Sequence, residues 1–137
     1  KLYDRANLLA ISRLLRDAEL LCAPFEEGTE GAGPGDFVYL DPPYDPLSPT
    51  ANFTGYTEGN FTREDQRRLA AHVRDLDRRG CLVAVSNSDT PEIRELYRGF
   101  HIETVRMPRN INCKPDGRAP VHELLITNFE PGTGTGP

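Results

Sequence analysis

The sequence predicts an α/β fold built on a largely parallel sheet, and three features of its 137 residues indicate it. Short apolar runs that suit buried strands alternate with longer segments whose apolar side chains recur every three or four residues, as in helices. Strands that alternate with helices are typical of layered α/β proteins. The last two predicted strands have no helix between them, so we expect the final strand to pair antiparallel.

The first third of the chain predicts a helix, a loop and a strand. Residues 3–20 place their apolar side chains near one helical face, which indicates an amphipathic helix. Residues 26–35 are rich in Gly and Glu without periodicity and predict a surface loop. Residues 37–40 form the apolar run Phe-Val-Tyr-Leu, which predicts a strand buried on both faces and ended by Asp41.

The middle of the chain predicts a long loop, a helix and a second strand. Residues 45–61 are rich in Pro, Ser, Thr, Gly and Asn and predict a long loop, and loops of this length in compact domains are usually functional or mobile. Thr62 and Asp65 have the spacing of a helix amino-terminal cap, and the helix that they open ends at Gly80. A second buried strand is predicted for residues 81–85.

The last third predicts a short helix, two strands and a tail. Thr90 before Pro91 has the pattern of a cap followed by the first helical position. Strands are predicted for residues 101–105 and 121–127, and the Gly- and Pro-rich residues 130–137 predict a disordered tail.

Composition limits the class of protein. The chain is 37% apolar and 27% charged, as in globular domains, and it has no apolar run near the roughly 20 residues that span a bilayer. We therefore expect a cytoplasmic protein with no membrane partner. The cysteines at positions 22, 81 and 113 suit neither a zinc site nor a disulfide framework, so reduced thiols are expected.

The net charge of −5 is distributed unevenly along the chain. Residues 1–59 hold four basic and ten acidic side chains, whereas residues 60–137 hold twelve basic and eleven acidic ones, so a polyanion would meet the second half. Between positions 106 and 118, one acid accompanies four basic residues, which are Arg106, Arg109, Lys114 and Arg118. Such a loop either contacts phosphates or is simply solvated, and composition leaves both interpretations open.

An acid, two prolines and an aromatic ring follow the first predicted strand as Asp41-Pro42-Pro43-Tyr44. Ligands of open α/β sheets bind beyond the carboxyl ends of parallel strands, which is where this motif falls. The Asp41 carboxylate and the Pro42 carbonyl can each accept one hydrogen of an adenine amino group, which orients its nitrogen towards an incoming methyl group. The prolines fix φ in this turn, and Tyr44 offers a face on which a flipped base can stack.

Two other interpretations of this motif stay open at this point. The prolines can simply force a turn after a strand, with Asp41 capping it and Tyr44 filling a gap. Asp41 and Asp45 can also be considered as metal ligands, but no histidine and no third carboxylate lies beside them, so no metal site is predicted.

Four segments of the sequence resemble the Dam-type family of DNA adenine methyltransferases. Residues 36–44 (DFVYLDPPY) are similar to its catalytic strand and motif, and residues 50–56 (TANFTGY) to the loop that follows. Residues 86–89 (SNSD) resemble the end of its next strand, and residues 123–129 (ELLITNF) resemble its last strand. The four-residue motif also occurs in methyltransferases with other targets, whereas the TANFTGY loop is more selective for this family.

The resemblance implies a Rossmann-like, seven-stranded methyltransferase sheet of which residues 1–129 supply the last four strands. It implies S-adenosylmethionine as the methyl donor and double-stranded DNA, with a flipped adenine, as the substrate. The implied catalytic residues are Asp41, Pro42, Pro43 and Tyr44. Asp41 and Phe25 are the implied donor contacts, although Phe25 alternatively belongs to the core. The implied DNA contacts are Asn52, Phe53, Tyr56, Arg109, Lys114 and Arg118. The alternative for the first three is a flexible lid that makes no direct contact, and the alternative for the last three is a solvated loop.

Two features depart from the family pattern. The family's donor loop, an aromatic-x-Gly-x-Gly run, is absent from this sequence, and Pro24 stands before Phe25 where family members often have an acid. We therefore expect the carboxyl-terminal half of an enzyme, with weak donor binding and an unpaired edge on the strand at 37–40 that favours a missing half or self-association as partner. A methyltransferase for an RNA base or a protein amide and a non-enzymatic remnant are the alternative functions.

Overall fold

The computed structural model describes four parts of the chain, which are residues 3–47, 61–107, 121–130 and 132. The chain divides into two compact units, Lys1–Glu30 and Gly31–Pro137. The described part of the first unit is helical, and the second unit holds a sheet and the helices that pack on it. Within the described parts, no helix is long and apolar enough to cross a membrane.

The first unit begins with an amphipathic helix, α1, at Arg5–Leu14. Asp4 caps this helix because its carboxylate accepts hydrogen bonds from two backbone N–H groups of the first turn. A 3₁₀ turn follows at Leu15–Asp17 and Ala18 is extended, so the helix predicted for residues 3–20 is too long. None of the ten residues of α1 is buried, although their pattern is amphipathic.

A single helical turn, α2, occupies Phe25–Gly28. The loop predicted for residues 26–35 is therefore wrong at its beginning. Pro24 has a φ of −53°, which suits helix entry, and two acidic side chains in the first turn interact favourably with the positive end of the helix dipole. The Thr29 hydroxyl then donates to the Phe25 carbonyl at 2.8 Å, which closes the turn.

The second unit contains a sheet of four strands, which are β1 Phe37–Leu40, β2 Leu82–Ser88, β3 His101–Met107 and β4 Val121–Thr127. Their order across the sheet is β1-β2-β4-β3. β1 and β2 are parallel, whereas β4 lies antiparallel between β2 and β3. The predicted antiparallel final strand is confirmed. The second and third strands both extend further than predicted, to Ser88 and Met107.

Two helices pack on one face of this sheet, α3 at Arg63–Arg78 and α4 at Pro91–Leu96. Thr62 and Thr90 cap them as predicted, and Thr62 forms a reciprocal capping box with Asp65. The apolar side chains of both helices and the sheet form one buried cluster. The sheet contributes Val38, Val83, Val85, Leu124 and Ile126, the helices contribute Ala70, Val73, Leu76 and Ile93, and Tyr97 joins the cluster from the position directly after α4.

The other face of β1 is largely exposed, so the prediction of a strand buried on both faces is wrong. Phe37 and Tyr39 are 61% and 55% exposed, whereas Val38 between them is 9% exposed. The reason is that α3 and α4 both pack on the Val38 face. β1 is also an edge strand of the sheet, and an open strand edge is a place where another strand can pair.

The cysteines that are described are free thiols. Cys22 is exposed and Cys81 is buried, where its Sγ donates to the Gly33 carbonyl at 3.3 Å. Cys113 lies outside the described residues, as do most of the predicted loop at 45–61 and most of the tail at 130–137.

Candidate active site

The predicted catalytic motif leaves the sheet at the carboxyl end of β1. Because β1 and β2 are parallel, both strands end at the same edge of the sheet. Asp41 follows β1 directly, and the Ser86 hydroxyl on β2 donates a hydrogen bond of 2.5 Å to its Oδ1. Asp41 remains exposed, so its carboxylate is oriented by β2 and accessible to a ligand at this edge.

Tyr44 is half-buried next to this carboxylate. Its hydroxyl donates to Oε2 of Glu123 on β4 over 3.4 Å, which is a long and weak hydrogen bond. The pKa of Tyr44 is raised to about 12, mainly by burial; a hydrogen bond with Ser86 lowers this pKa, whereas the carboxylates of Glu123 and Asp41 raise it. Tyr44 is therefore a neutral phenol at physiological pH.

Two buried amide side chains hold the backbone of the same turn. Asn87 on β2 is 0% exposed, and its Oδ1 accepts a hydrogen bond of 3.0 Å from the Asp45 N–H. Gln66 on α3 is 3% exposed, and its Nε2 donates to the Pro43 carbonyl at 2.8 Å. The Asn87 Nδ2 donates to the Gln66 Oε1 at 3.1 Å, which joins the two amides.

The sequence predictions missed the roles of Gln66 and Asn87, although a signal for each is present. Gln66 precedes Leu69, Ala70 and Val73 at helical spacing, so it is a polar residue on the buried stripe of α3. Asn87 stands in a strand whose preceding residues are apolar and buried. A polar residue at a core position has to be hydrogen-bonded, which points to a partner in the fold.

The structure brings together only part of the predicted site. Asp41 and Tyr44 lie near one another through Ser86, and Pro42 and Pro43 form the turn between them. Phe25 is half-buried in the first unit, and its contact with a donor stays a prediction. The six predicted DNA contacts lie outside the described residues: Asn52, Phe53, Tyr56, Arg109, Lys114 and Arg118.

An α/β sheet with an Asp-Pro-Pro-Tyr turn at the carboxyl end of a parallel strand defines a methyltransferase-type domain. Comparison with protein families specifies which one. The model of the D12 class N6 adenine-specific DNA methyltransferase family matches residues 1–111, and the chain belongs to this family. The family resemblance of the sequence motifs is thereby confirmed.

Curated proteins with similar sequences carry corresponding names. The chain is 44% identical over 131 residues to a type II methyltransferase, M.MjaIII, of Methanocaldococcus jannaschii, which covers 94% of this chain and 45% of that protein. It is 35% identical over 130 residues to a DNA adenine methylase of Escherichia coli K12, which covers 95% and 46%. It is 42% identical over 110 residues to a DNA N-6-adenine-methyltransferase of Escherichia phage P1, and this match covers 79% of this chain and 15% of that protein. The chain spans about half the length of the first two relatives.

Proposed function

We propose that the full-length gene product transfers a methyl group from S-adenosylmethionine to the exocyclic amino group of an adenine in double-stranded DNA. The observation that carries this proposal is the Asp41 carboxylate, exposed at the carboxyl edge of the sheet with one oxygen bound by Ser86. Membership of the D12 class and the names of the relatives support the choice of adenine in DNA.

The reacting nitrogen of adenine is a poor nucleophile because its lone pair is delocalised into the ring. The Asp41 carboxylate accepts one amino hydrogen and the Pro42 carbonyl accepts the other, which turns the nitrogen lone pair towards the methyl group. The nitrogen attacks the methyl carbon while the S–CH₃ bond of the sulfonium breaks and its electron pair stays on sulfur, so that a neutral thioether leaves. The methylated nitrogen then loses a proton, for which the Asp41 carboxylate is the adjacent acceptor. This assignment makes Asp41 and Pro42 groups that touch the reacting atoms.

The charge of the site suits a cationic methyl donor. S-adenosylmethionine supplies a methyl group activated on a positively charged sulfonium. The carboxylates of Asp41 and Glu123 both raise the pKa of Tyr44, so the ring and its surroundings lie in a negative potential. Asp41 follows β1 at the edge where ligands of such sheets bind, and we assign it to the donor, together with Phe25, as well as to the adenine.

Tyr44 supplies the stacking surface for the adenine. Enzymes that modify a base inside a duplex rotate it out of the stack and hold it against aromatic side chains. The raised pKa keeps the Tyr44 ring uncharged, and its position in the Pro-Pro turn places it beside Asp41. We assign Asn52, Phe53 and Tyr56 to the flipped base or its flanking phosphates, and Arg109, Lys114 and Arg118 to the phosphates.

The proposal is tested by incubating the full-length gene product with S-adenosylmethionine carrying a labelled methyl group and three acceptors: duplex DNA, RNA and a mixture of proteins. We expect label in duplex DNA alone, recovered after digestion as N6-methyladenine. A duplex in which every adenine is replaced by purine, which lacks the amino group, is the matched control. Label in RNA or protein without label in DNA would contradict the proposal.

A further inference from the structure

We propose that Gln66 and Asn87 are positioning residues for methyl transfer, because they form a hydrogen-bonded amide relay that fixes the backbone on both sides of Tyr44. The amide relay consists of these two side chains with the Pro43 carbonyl and the Asp45 N–H. This inference rests on the proposed function, since the turn that the relay fixes is the one assigned to adenine.

The relay is a closed ring. It begins at the Asp45 N–H, passes through Asn87 and Gln66, and ends at the Pro43 carbonyl, with donor–acceptor distances of 3.0, 3.1 and 2.8 Å. Both ends of the relay therefore lie within one three-residue segment, residues 43–45, which closes the ring. The peptide planes before and after Tyr44 are each held by one hydrogen bond, so the direction in which the Tyr44 side chain leaves the backbone is fixed.

The hydrogen bonds of the relay run in one direction, and this direction requires a carboxamide at both positions. Asn87 accepts from Asp45 and donates to Gln66, which in turn donates to Pro43. The Asn87 Oδ1 also accepts from the Ser88 N–H at 2.9 Å, so both of its lone pairs are used. An ionised carboxylate of the same shape accepts hydrogen bonds but cannot donate one, so it interrupts the relay.

Burial makes the relay rigid. Asn87, Gln66 and Asp45 are 0%, 3% and 6% exposed, so water does not compete for their hydrogen bonds. In such surroundings a fully satisfied polar network is strong, and a network that has lost one member is strongly disfavoured. The ion pairs on the surface of α3, such as Arg67 with Glu64, are exposed and have no comparable rigidity.

The relay acts on the chemistry through the turn. Asp41 and Pro42 come immediately before the clamped residues, and the proline rings leave little freedom in between. A displacement of a reacting group by about 1 Å can lower the rate about a hundredfold. The relay therefore sets how well Asp41, the Pro42 carbonyl and the Tyr44 ring are aligned, without contacting the adenine.

The first part of the test measures the clamp in this chain, independently of any activity. Amide hydrogen exchange at Asp45 is followed by NMR in the wild type and in Gln66→Glu, Asn87→Leu and Gln66→Met. We expect exchange at least about tenfold faster in all three variants. Asn128→Asp is the matched control, because the Asn128 amide binds the Val83 N–H and the Cys81 carbonyl at the other end of β2. It should leave Asp45 exchange unchanged.

The second part measures methyl transfer by the full-length gene product. In Gln66→Glu and Asn87→Asp we expect kcat to fall at least about tenfold, with KM for DNA and for the donor within about threefold of wild type. The Gln66→Glu rate relative to wild type should rise as the pH is lowered from about 8 to about 6, because a buried carboxyl has a raised pKa and, once protonated, can again donate to Pro43. Asp41, Asp45, Glu123 and Tyr44 face the same turn in every variant, so Gln66→Met, which has no proton to gain, is the control: its rate relative to wild type should not rise as the pH is lowered.

The outcomes separate the inference from the proposed function. Absence of adenine methylation by the wild type overturns the proposed function, while Asp45 exchange still decides whether the relay clamps the turn. Faster exchange with turnover within about twofold of wild type overturns the positioning role and leaves the function standing. Unchanged exchange in Gln66→Met, which cannot donate to the Pro43 carbonyl at any pH, overturns the clamp itself. Gln66→Met, which keeps the volume of the side chain, replaces Gln66→Glu if that variant does not fold.

Discussion

Ser86 and Asn87 are consecutive residues of β2, yet they hold different parts of the candidate site from opposite faces of the sheet. Ser86 binds the Asp41 side chain through one hydrogen bond at an exposed edge. Asn87 points to the core face and, with Gln66, binds the backbone of the turn through a closed and buried relay. The reacting side chain is therefore held by one hydrogen bond at an exposed edge, whereas the backbone of the turn is held by a buried hydrogen-bond network.

The largest effect on turnover is expected at Asp41, whose side chain is held by Ser86 and whose following residues are held by the amide relay. Asp41→Ala removes the acceptor of the amino hydrogen, so kcat of the full-length gene product should fall by about a hundredfold to a thousandfold. DNA binding should be retained, because the substitution acts on the chemical step. Glu95→Ala, an exposed carboxylate on α4, is the control. Transfer within about tenfold of wild type in Asp41→Ala would remove this carboxylate from the mechanism.

The next effect concerns the buried amide relay. Asn87→Leu leaves the Asp45 N–H, the Ser88 N–H and the Gln66 Oε1 buried without their partner. The free energy of unfolding of this chain should therefore fall by about 1–3 kcal/mol or more, measured by urea denaturation. A change below about 0.5 kcal/mol would show that the relay does not stabilise the fold.

A smaller effect on stability is expected for the hydrogen bond between Ser86 and Asp41. Ser86→Ala removes one hydrogen bond to an exposed carboxylate that water can replace, so stability should change by no more than about 1 kcal/mol. The kcat should fall by about tenfold, because Asp41 gains freedom to rotate. A larger loss of stability in Ser86→Ala than in Asn87→Leu, measured in the same urea series, would reverse the comparison.

The smallest effect concerns Tyr44 and appears only at high pH. Its pKa is raised by burial to about 12 in the folded chain, against 10.0 for a free tyrosine. The neutral phenol therefore stabilises the folded state fully below pH 10, and this contribution is lost as the pH rises towards 12. In Tyr44→Phe, stability should decline less between these two values than in wild type, with Tyr3→Phe as the control at an exposed site. Identical declines would place Tyr44 in an ordinary aqueous environment.

Local patterns in the sequence predicted the elements well because caps and periodicity act over a few residues. The capping box at Thr62, the cap at Thr90 and the end of α3 at Gly80, whose φ is +81°, all occur as predicted. The prediction for β1 overestimated burial, because an apolar run does not show whether one or both faces are covered. Amphipathic periodicity likewise predicted that α1 is a helix, but not that its residues are exposed.

The candidate site was predictable only where its residues are adjacent in the chain. Asp41 and Tyr44 belong to one motif with its own chemistry. The relay joins Pro43 to Gln66 and Asp45 to Asn87, which are 23 and 42 positions apart. Such pairs arise from the packing of α3 on the sheet and leave no periodic signal. The sequence indicated these contacts only through the amide side chains of Gln66 and Asn87, which stand at positions where the pattern predicts burial.

The fixed direction of the amide relay also has a chemical consequence for the lifetime of the protein. Asparagine and glutamine are thermally labile because their amides hydrolyse to acids. Such a change at Gln66 or Asn87 exchanges one NH₂ group for an oxygen, keeps the shape of the side chain and removes the donor that the relay requires. A molecule aged in this way could retain its fold and lose the alignment of its turn. Its damage would then be visible as a mass increase and a lower turnover before any change in secondary structure.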